Sequence, residues 1–446
     1  MDRKAVMKVA ITTLGCKANQ YDSFAIEDVI KDNNLSVVPF SEEADAYIIN
    51  TCTVTGRTDF KSRYLIRKAR KTNPDAVIIV TGCYAQISSD EVKGIKGVDY
   101  VIGNAEKDTV LNLIYKGKQD TPEVMVSGLK LVPTGSKQGH DNGFNLRAQG
   151  SSERTRAFLK VQDGCERYCS YCIIPYARGI TRSLPADDVI REIELLRRNG
   201  YREIVLTGIH LGSYGITNDS AAHSLTELIK DIDKRSYHCR FRISSLDPYE
   251  VTDELIEIVA SSKRICNHFH LAVQSCDDDI LMDMNRHHYS RNIFVDKVER
   301  IYKLVNDVSI GVDIIVGFPG ETDTQFMNTY STLKELPVSY FHIFPFSKRK
   351  GTPAFDFSNQ VDDKVMADRC SILKKLAEEK KRAFYTIQVG KYADVLIESI
   401  SAQKATGKSR NYIPVVISGK KVQKNTEIKI RLKEVRGKEV FGIYEG

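Results

Sequence analysis

Cys165, Cys169 and Cys172 stand at C-x3-C-x2-C spacing within Cys165-Glu166-Arg167-Tyr168-Cys169-Ser170-Tyr171-Cys172. Three thiolates so spaced can hold three corners of a four-iron cube and leave the fourth iron without a protein ligand. An electron-transfer cluster takes four thiolates and structural zinc closes a four-ligand shell, so a site one ligand short is built to bind a small molecule. The plainer alternative is a loop of buried or zinc-binding cysteines, against which stands the lack of a nearby fourth ligand. A second trio, Cys16, Cys52 and Cys83, is spread at intervals of 36 and 31 residues. Each follows an apolar run that reads as a strand: Val9–Leu14, Ala46–Thr51 and Ala76–Thr81. In a parallel, doubly wound sheet the carboxyl ends of the strands share one edge where ligand sites form, so these loops would bring the three thiols together. A lone cysteine is commonly an inert buried thiol, but three at one structural station point to a second cluster. Cys239, Cys266, Cys276 and Cys370 follow no ligand spacing and read as structural.

The elements that must position these thiols follow from periodicity. A chain of 446 residues suggests about three domains at ~150 residues each. Residues 7–118 alternate strand and helix, with helical patterns at Tyr21–Lys31 and Asp59–Thr72, as in a parallel doubly wound sheet. Residues 119–150 lose the pattern; Thr134-Gly135-Ser136-Lys137-Gln138-Gly139 reads as an exposed connector. Over 151–384, six strands near Phe158–Gln162, Ile204–Leu206, Phe241–Ser244, Phe269–Val273, Val312–Val316 and Tyr340–Pro345 alternate with helical patterns. That sustained alternation predicts a partial (β/α)6 barrel with its active end at the strand C-termini. A charged helix over Val361–Phe384 leads to residues 385–446. There Tyr392–Ile400, Tyr412–Ile417, Glu427–Leu432 and Glu439–Tyr444 predict a small β-barrel. The fold class is α/β.

Composition narrows the setting. No stretch approaches the ~18 apolar residues of a membrane span, and Lys4 and Lys8 interrupt any signal-peptide core. A cytoplasmic protein is expected, in which ten cysteines argue for metal or catalysis over disulfides. Of the formal net charge of +7, Ile387–Gly446 carries +6, from twelve Lys or Arg against six Asp or Glu. A basic terminal module suits a polyanion partner, with a solvated lysine-rich surface as the alternative. His268 and His270 share a strand face but read as core or surface histidines, and Gly317–Thr322 lacks the lysine of a phosphate loop.

Several segments carry a resemblance. Thr13-Leu14-Gly15-Cys16-Lys17-Ala18-Asn19-Gln20-Tyr21-Asp22-Ser23, Asn50-Thr51-Cys52 and Gly82-Cys83-Tyr84-Ala85-Gln86 are similar to the N-terminal domain of the radical S-adenosylmethionine (SAM) methylthiotransferases. Gly164-Cys165 through Arg178-Gly179, with Ile173-Ile174-Pro175-Tyr176, resembles their radical SAM core. The last sixty residues, including Gly407-Lys408-Ser409-Arg410-Asn411-Tyr412, resemble their TRAM domain, a small RNA-binding barrel. The resemblance runs from about Lys8 to the end. It implies two 4Fe-4S clusters, one on Cys16, Cys52 and Cys83 holding sulfur and one on Cys165, Cys169 and Cys172 binding SAM. SAM then serves both as radical source and as methyl donor, and no catalytic residue is assigned beyond the cluster ligands. Tyr171, Gly208, Ser244, Gln274, Arg286 and Gly317 match family positions near SAM. Leu271-Ala272-Val273-Gln274-Ser275-Cys276 departs from the family form, which has Pro and Gly in the places of Ala272 and Cys276.

The implied partners are a tRNA anticodon loop and an electron donor such as flavodoxin or ferredoxin, with no membrane. Lys17-Ala18-Asn19-Gln20-Tyr21-Asp22 and Gln162-Asp163-Gly164-Cys165 resemble most the branch that acts on N6-threonylcarbamoyladenosine 37. The alternatives are the branch acting on isopentenyladenosine 37, the branch modifying a ribosomal-protein aspartate, and a non-catalytic iron–sulfur protein that binds RNA.

Overall fold

A computed structural model describes residues 6–128, 146–148, 155–216, 223–401, 404–418 and 422–445. Short apolar and β-branched runs form Lys8–Thr13 (β1), Ser36–Val38 (β2), Ala46–Thr51 (β3), Val77–Gly82 (β4), Tyr100–Ile102 (β5) and Glu123–Met125 (β6). All pair parallel in the order β2-β1-β3-β4-β5-β6. Every residue of β3 and β4 is buried, because helices cover both faces of the sheet and the strands can be apolar throughout. The helices are Lys17–Asp32 (α1), Gly56–Thr72 (α2), Cys83–Ile87 (α3), Ser89–Lys93 (α4) and Val110–Lys116 (α5). One core joins Tyr47, Ile49, Ile66, Ile78 and Val80; the other joins Val9, Ile26, Ile30, Ile48 and Ile79. The strand order reverses between β1 and β3, which is where an open α/β sheet leaves a crevice at its carboxyl edge.

These elements belong to a compact unit of residues Met1–Ser151, Phe158–Leu184 and Ser347–Phe355. Within it the hairpin of Gln162–Asp163 (β8) and Arg182–Ser183 (β9) brackets the C-x3-C-x2-C segment and Ile174–Arg178 (α6); the strand before it, Arg156–Lys160 (β7), crosses the unit boundary. The compact units therefore cut across the division expected from sequence, since 158–184 groups with the first domain. Expected connector 119–150 begins with β6, which pairs with β5; most of the remainder lies outside the described residues. Three residues are too short a run to show alternation, and pairing on an existing sheet edge is what makes them a strand.

The second unit comprises Ser152–Ala157, Pro185–Phe346 and Asp356–Gly446. Its strands Glu203–Thr207 (β10) and Arg240–Ile243 (β11) pair parallel, as do His268–Gln274 (β12), Ser309–Val316 (β13) and Tyr340–Pro345 (β14). Bridges Phe241–Ile265 and Leu246–Leu271 link the two groups. Helices Ala186–Arg198 (α7), Leu225–Lys234 (α8), Asp253–Ser261 (α9), Asp278–Asp283 (α10), Arg291–Leu304 (α11) and Asp323–Glu335 (α12) alternate with them, giving the expected partial barrel. The long helix Asp363–Gln388 (α13) leads to a closed barrel of Tyr392–Ile400 (β15), Ala405–Ser409 (β16), Pro414–Ile417 (β17), Glu427–Arg436 (β18) and Glu439–Ile443 (β19), in the order β15-β16-β17-β19-β18. β16 was not expected: Ala-Thr-Gly-Lys-Ser has poor strand propensity, and it forms because β15 and β17 pair with it on both sides.

A buried ion group fastens this barrel to the core strands. Glu203, fully buried at the start of β10, accepts from Arg240 Nε at 2.7 Å and Arg242 Nε at 2.9 Å. The guanidinium far ends donate to terminal-barrel carbonyls: Arg240 to Lys408 O at 2.8 Å, Arg242 to Arg410 O at 2.8 Å and to Ser409 O at 3.2 Å. Burial would raise the Glu203 carboxyl, but Arg242 and Arg240 hold it well below the usual range.

Candidate active site

Ladder register sets the first site. Thr13 pairs with Asn50, and Asn50 with Thr81, so β1, β3 and β4 end at one level. Cys16 caps the N-terminus of α1, Cys52 follows β3 directly, and Cys83 is the first residue of α3. The three thiols, all free, lie close enough that Cys83 and Cys16 both act electrostatically on Cys52. Burial, with a contribution from the neighbouring Cys83 and Cys16, pushes the Cys52 thiol up to about 12. Gly15 stands at φ +95°, and a Cβ there would lie 2.6 Å from Cys52 Sγ, so the left-handed turn and the space for sulfur both require glycine. Asn19 staples the edge: its Nδ2 donates to Leu14 O at 2.8 Å and to Thr51 O at 2.9 Å.

The second trio sits in the loop closed by the β8–β9 hairpin. Cys165 N donates to Gly179 O at 3.0 Å and Cys172 N to Cys169 O at 2.9 Å. Gly164 takes φ +77°, and a Cβ would strike Ile180 O at 1.9 Å, so the backbone approaches itself there as only glycine permits. Tyr168 also takes a left-handed φ of 46°, which is uncommon for a bulky residue and marks a constrained loop. Tyr171 is half-buried between two of the cysteines.

A buried ion network that sequence reasoning did not find joins this loop to α1. Asp22 accepts from Lys107 Nζ at 2.6 Å, Lys160 Nζ at 2.6 Å and Arg178 Nη2 at 3.2 Å. Asp163 accepts from Lys160 Nζ at 3.0 Å and Arg178 Nη1 at 2.9 Å, while Arg178 Nη2 also donates to Asn19 Oδ1 at 2.9 Å. Arg182 stands 3.9 Å from Asp163, so four cations meet two carboxylates. Burial would raise Asp22, but Lys107, Lys160 and Arg178 hold it well below the usual range; Arg178 and Lys160 do the same for Asp163. Burial works against the Arg178 charge, yet Asp163 and Asp22 fix it more firmly than usual. The only sequence signal was Asp22, Asp163 and Arg178 lying inside the quoted motifs; nothing local pairs residues so far apart.

The matching families are now informative. Residues 8–103 match the uncharacterized protein family UPF0004, and residues 159–333 match the radical SAM superfamily. The threonylcarbamoyladenosine tRNA methylthiotransferase MtaB of Bacillus subtilis is 37% identical over 430 residues, 95% of this chain and 93% of that protein. The chain belongs to the radical SAM methylthiotransferases. MtaB of Aquifex aeolicus is 38% identical over 88% of this chain and 93% of its own. A tRNA-2-methylthio-N(6)-dimethylallyladenosine synthase of Acinetobacter baumannii is more distant, 31% identical over 90% of this chain and 83% of that one. Among solved structures, the radical S-adenosylmethionine methyltransferase TsrM from Kitasatospora setae shares the fold, with TM-score 0.58 at 15% identity over 79% of this chain and 74% of that one.

For a methylthiotransferase the donor sets fit iron–sulfur ligation: each trio offers three free thiols, and Gly15 leaves beside the Cys52 sulfur the space that a Cβ would fill. The second unit holds the remaining positions expected near SAM. Gly208 follows β10 and the buried Ser244 follows β11; Gln274 ends β12 with a left-handed φ of 67°, and Gly317 N donates to Glu321 Oε2 at 2.7 Å. Gln274 therefore stores backbone strain at the carboxyl end of its strand, as functional positions commonly do. Arg286 is buried, paired with Asp247, and donates to Ala272 O at 2.8 Å; a polar residue near a strand end could not reveal those partners from sequence. His268 and His270 are buried histidines, each with one ring nitrogen hydrogen-bonded: His268 Nε2 with Tyr340 Oη at 2.8 Å and His270 Nδ1 with Ser245 Oγ at 2.6 Å. A cleft of about 1160 Å³ opens beside β14, α13 and the terminal barrel, lined by Tyr340, His342, Lys381, Arg382, Lys408 and Tyr412, among others.

Proposed function

We propose that this methylthiotransferase converts N6-threonylcarbamoyladenosine 37, in the anticodon loop of tRNA, to its 2-methylthio derivative. The observation that carries the reading is the identity of 34–38% to MtaB proteins across most of the chain, above the 31% to the dimethylallyladenosine synthases. Carbon 2 of adenine bears a hydrogen with no acidic character, so acid–base catalysis offers no route and cofactors carry the hard step. Bound to the two trios, 4Fe-4S clusters with SAM would supply one-electron cleavage of a C–S bond, the inserted sulfur and the methyl group. Cys16, Cys52 and Cys83 would hold the sulfur-bearing cluster, and Cys165, Cys169 and Cys172 the SAM-binding one.

The chain's own residues position these ligands. Asn19 and the β1–β3 register set the loop ends that carry Cys16 and Cys52, and Arg178 anchors the Cys165–Cys172 loop to Asp22 of α1. Tyr171, Gly208, Ser244, Gln274, Arg286 and Gly317 remain proposed SAM contacts. The basic, aromatic-lined cleft beside the terminal barrel suits unpaired RNA, whose bases stack and whose phosphates pair with Lys and Arg. An electron donor such as flavodoxin or ferredoxin and a cytoplasmic setting complete the reading; among the described residues, no helix is long and apolar enough to cross a membrane.

The test separates the two trios. Replacing Cys165, Cys169 and Cys172 with Ala should abolish release of 5′-deoxyadenosine. Replacing Cys16, Cys52 and Cys83 should leave uncoupled SAM cleavage while no methylthio product forms. Persistent product from the second variant contradicts the division of labour.

A further inference from the structure

Outside both trios, the densest charge in the molecule lies on α2. Its seventeen residues hold seven Lys or Arg and one acid, a net +6 against +7 for the whole chain. The single acid, Asp59, is buried and paired with Arg349. Two of the cations are structural: Arg63 pairs with Glu91, and Arg70 pairs with Asp99 and caps the carbonyls of Gly97, Pro74 and Ala76. The other five, Arg57, Lys61, Arg67, Lys68 and Lys71, are exposed, and no carboxylate among the described residues pairs with any of them.

These five follow helical spacing and share their face with two rings. Phe60 is 64% exposed and Tyr64 56% exposed, one helical turn apart. The rows Arg57-Lys61-Tyr64-Lys68-Lys71 and Phe60-Tyr64-Arg67-Lys71 advance in steps of three or four residues, about 4.5–6 Å each along the axis. A solvated helix face normally intersperses acids at i+4; here Arg57 and Lys61, and Arg67 and Lys71, stand as like charges at that spacing, which weakens an isolated helix. Large exposed apolar rings in the middle of an unpaired cationic stripe need an occupant that is anionic and offers flat faces.

We infer that this face of α2 binds an unpaired, loop segment of the RNA substrate. Phosphates would take the cations, and splayed bases would stack on Phe60 and Tyr64. A double helix satisfies the cations but hides its base faces, and an acidic protein satisfies the charge without supplying stacked bases. The helix leaves the loop that carries Cys52 within the same compact unit, so the stripe begins five residues from a proposed cluster ligand. The inference rests on the reading of tRNA as substrate and adds an RNA-binding element in the N-terminal unit, distinct from the C-terminal barrel.

The experiment uses the full-length, cluster-loaded enzyme and tRNA bearing threonylcarbamoyladenosine. The triple variant Arg57→Gln, Lys61→Gln, Lys68→Gln should weaken binding at least about tenfold at low salt and reduce the slope of log K against log salt by about 2. Phe60→Ala and Tyr64→Ala should each weaken binding by about tenfold with the salt slope unchanged, since stacking is not ionic. Iron content and melting temperature should match the wild type, because all five side chains are exposed. Unchanged affinity and slope in these variants, with a wild type that binds tRNA, overturns the stripe alone; a wild type that binds no tRNA overturns the proposed function and the stripe together. Full tRNA affinity and full turnover with dithionite, with turnover lost only when a flavodoxin supplies electrons, would overturn the RNA assignment and give the face to an acidic electron donor.

Discussion

At the residue scale, two contacts decide whether the thiols can do their work. Gly15 has both a left-handed backbone and a Cβ position 2.6 Å from Cys52 Sγ. Gly15→Ala should therefore displace Cys52 and lower iron from about eight to about four per chain, with 5′-deoxyadenosine release kept and methylthio product lost. Iron analysis after anaerobic reconstitution checks this; a full iron content would show that the loop tolerates the methyl. Arg178 is the second. Replacing it with Met leaves Asp22 and Asp163 facing Lys107, Lys160 and the more distant Arg182, and losing one partner of a buried pair costs about 3–5 kcal/mol. The depressed Asp22 and Asp163 carboxyls contribute stability above their unfolded value near 4, and that stability is lost as pH falls toward their folded values. Without Arg178 the folded values rise, so the variant should acid-unfold at higher pH than the wild type. Circular dichroism across pH 2–6 would show the shift, and coincident curves would mean the network adds little. Cys165, Cys169 and Cys172 stand out by spacing alone, whereas these contacts do not, because Asp22, Lys107, Lys160, Asp163 and Arg178 meet only through tertiary structure.

At the element scale, the strand–helix alternation was legible because it is an apolar period, and α7, α8 and β14 match their expected limits. The conjunction of Cys16, Cys52 and Cys83 followed from the same reasoning, since parallel strands that end in register must present their following loops together. β6 and β16 were not legible: each is held by neighbours already in place rather than by its own pattern. Nor was the fastening of the terminal barrel, which depends on Glu203 neutralising Arg240 and Arg242 while they donate to its carbonyls. Glu203→Ala should leave the buried Arg242 without its carboxylate and Arg240 with Glu427 alone, and destabilise this junction by about 3–5 kcal/mol. Hydrogen exchange should then accelerate in β15–β19 more than in β3 and β4 of the other unit. Equal acceleration in both units would instead mean general unfolding.

At the scale of the whole molecule, a net charge of +7 conceals two separate basic regions, α2 with +6 and Ile387–Gly446 with +6, on an otherwise slightly acidic chain. Sequence reading credited only the second. Removing the terminal barrel would uncover Arg240 and Arg242, so its share of RNA binding is better tested by neutralising surface cations that line its cleft. Lys381→Gln with Arg382→Gln should weaken tRNA binding and flatten its salt dependence while both trios keep their iron. Filter binding from about 0.05 to 0.3 M salt would show it, and an unaltered slope would make that cleft a solvated surface.

The central claim is the substrate. A threonylcarbamoyl group brings a carboxylate and a hydroxyl, whereas an isopentenyl group is wholly apolar, and polar pocket groups left unpaired cost about 1–3 kcal/mol each, so one pocket should not favour both. The direct measurement gives the reconstituted enzyme tRNA carrying either modification at position 37, then digests the tRNA and weighs its nucleosides. A methylthio mass gain on threonylcarbamoyladenosine, with the isopentenyl tRNA unchanged, is the predicted result; a gain on the isopentenyl nucleoside alone would contradict it.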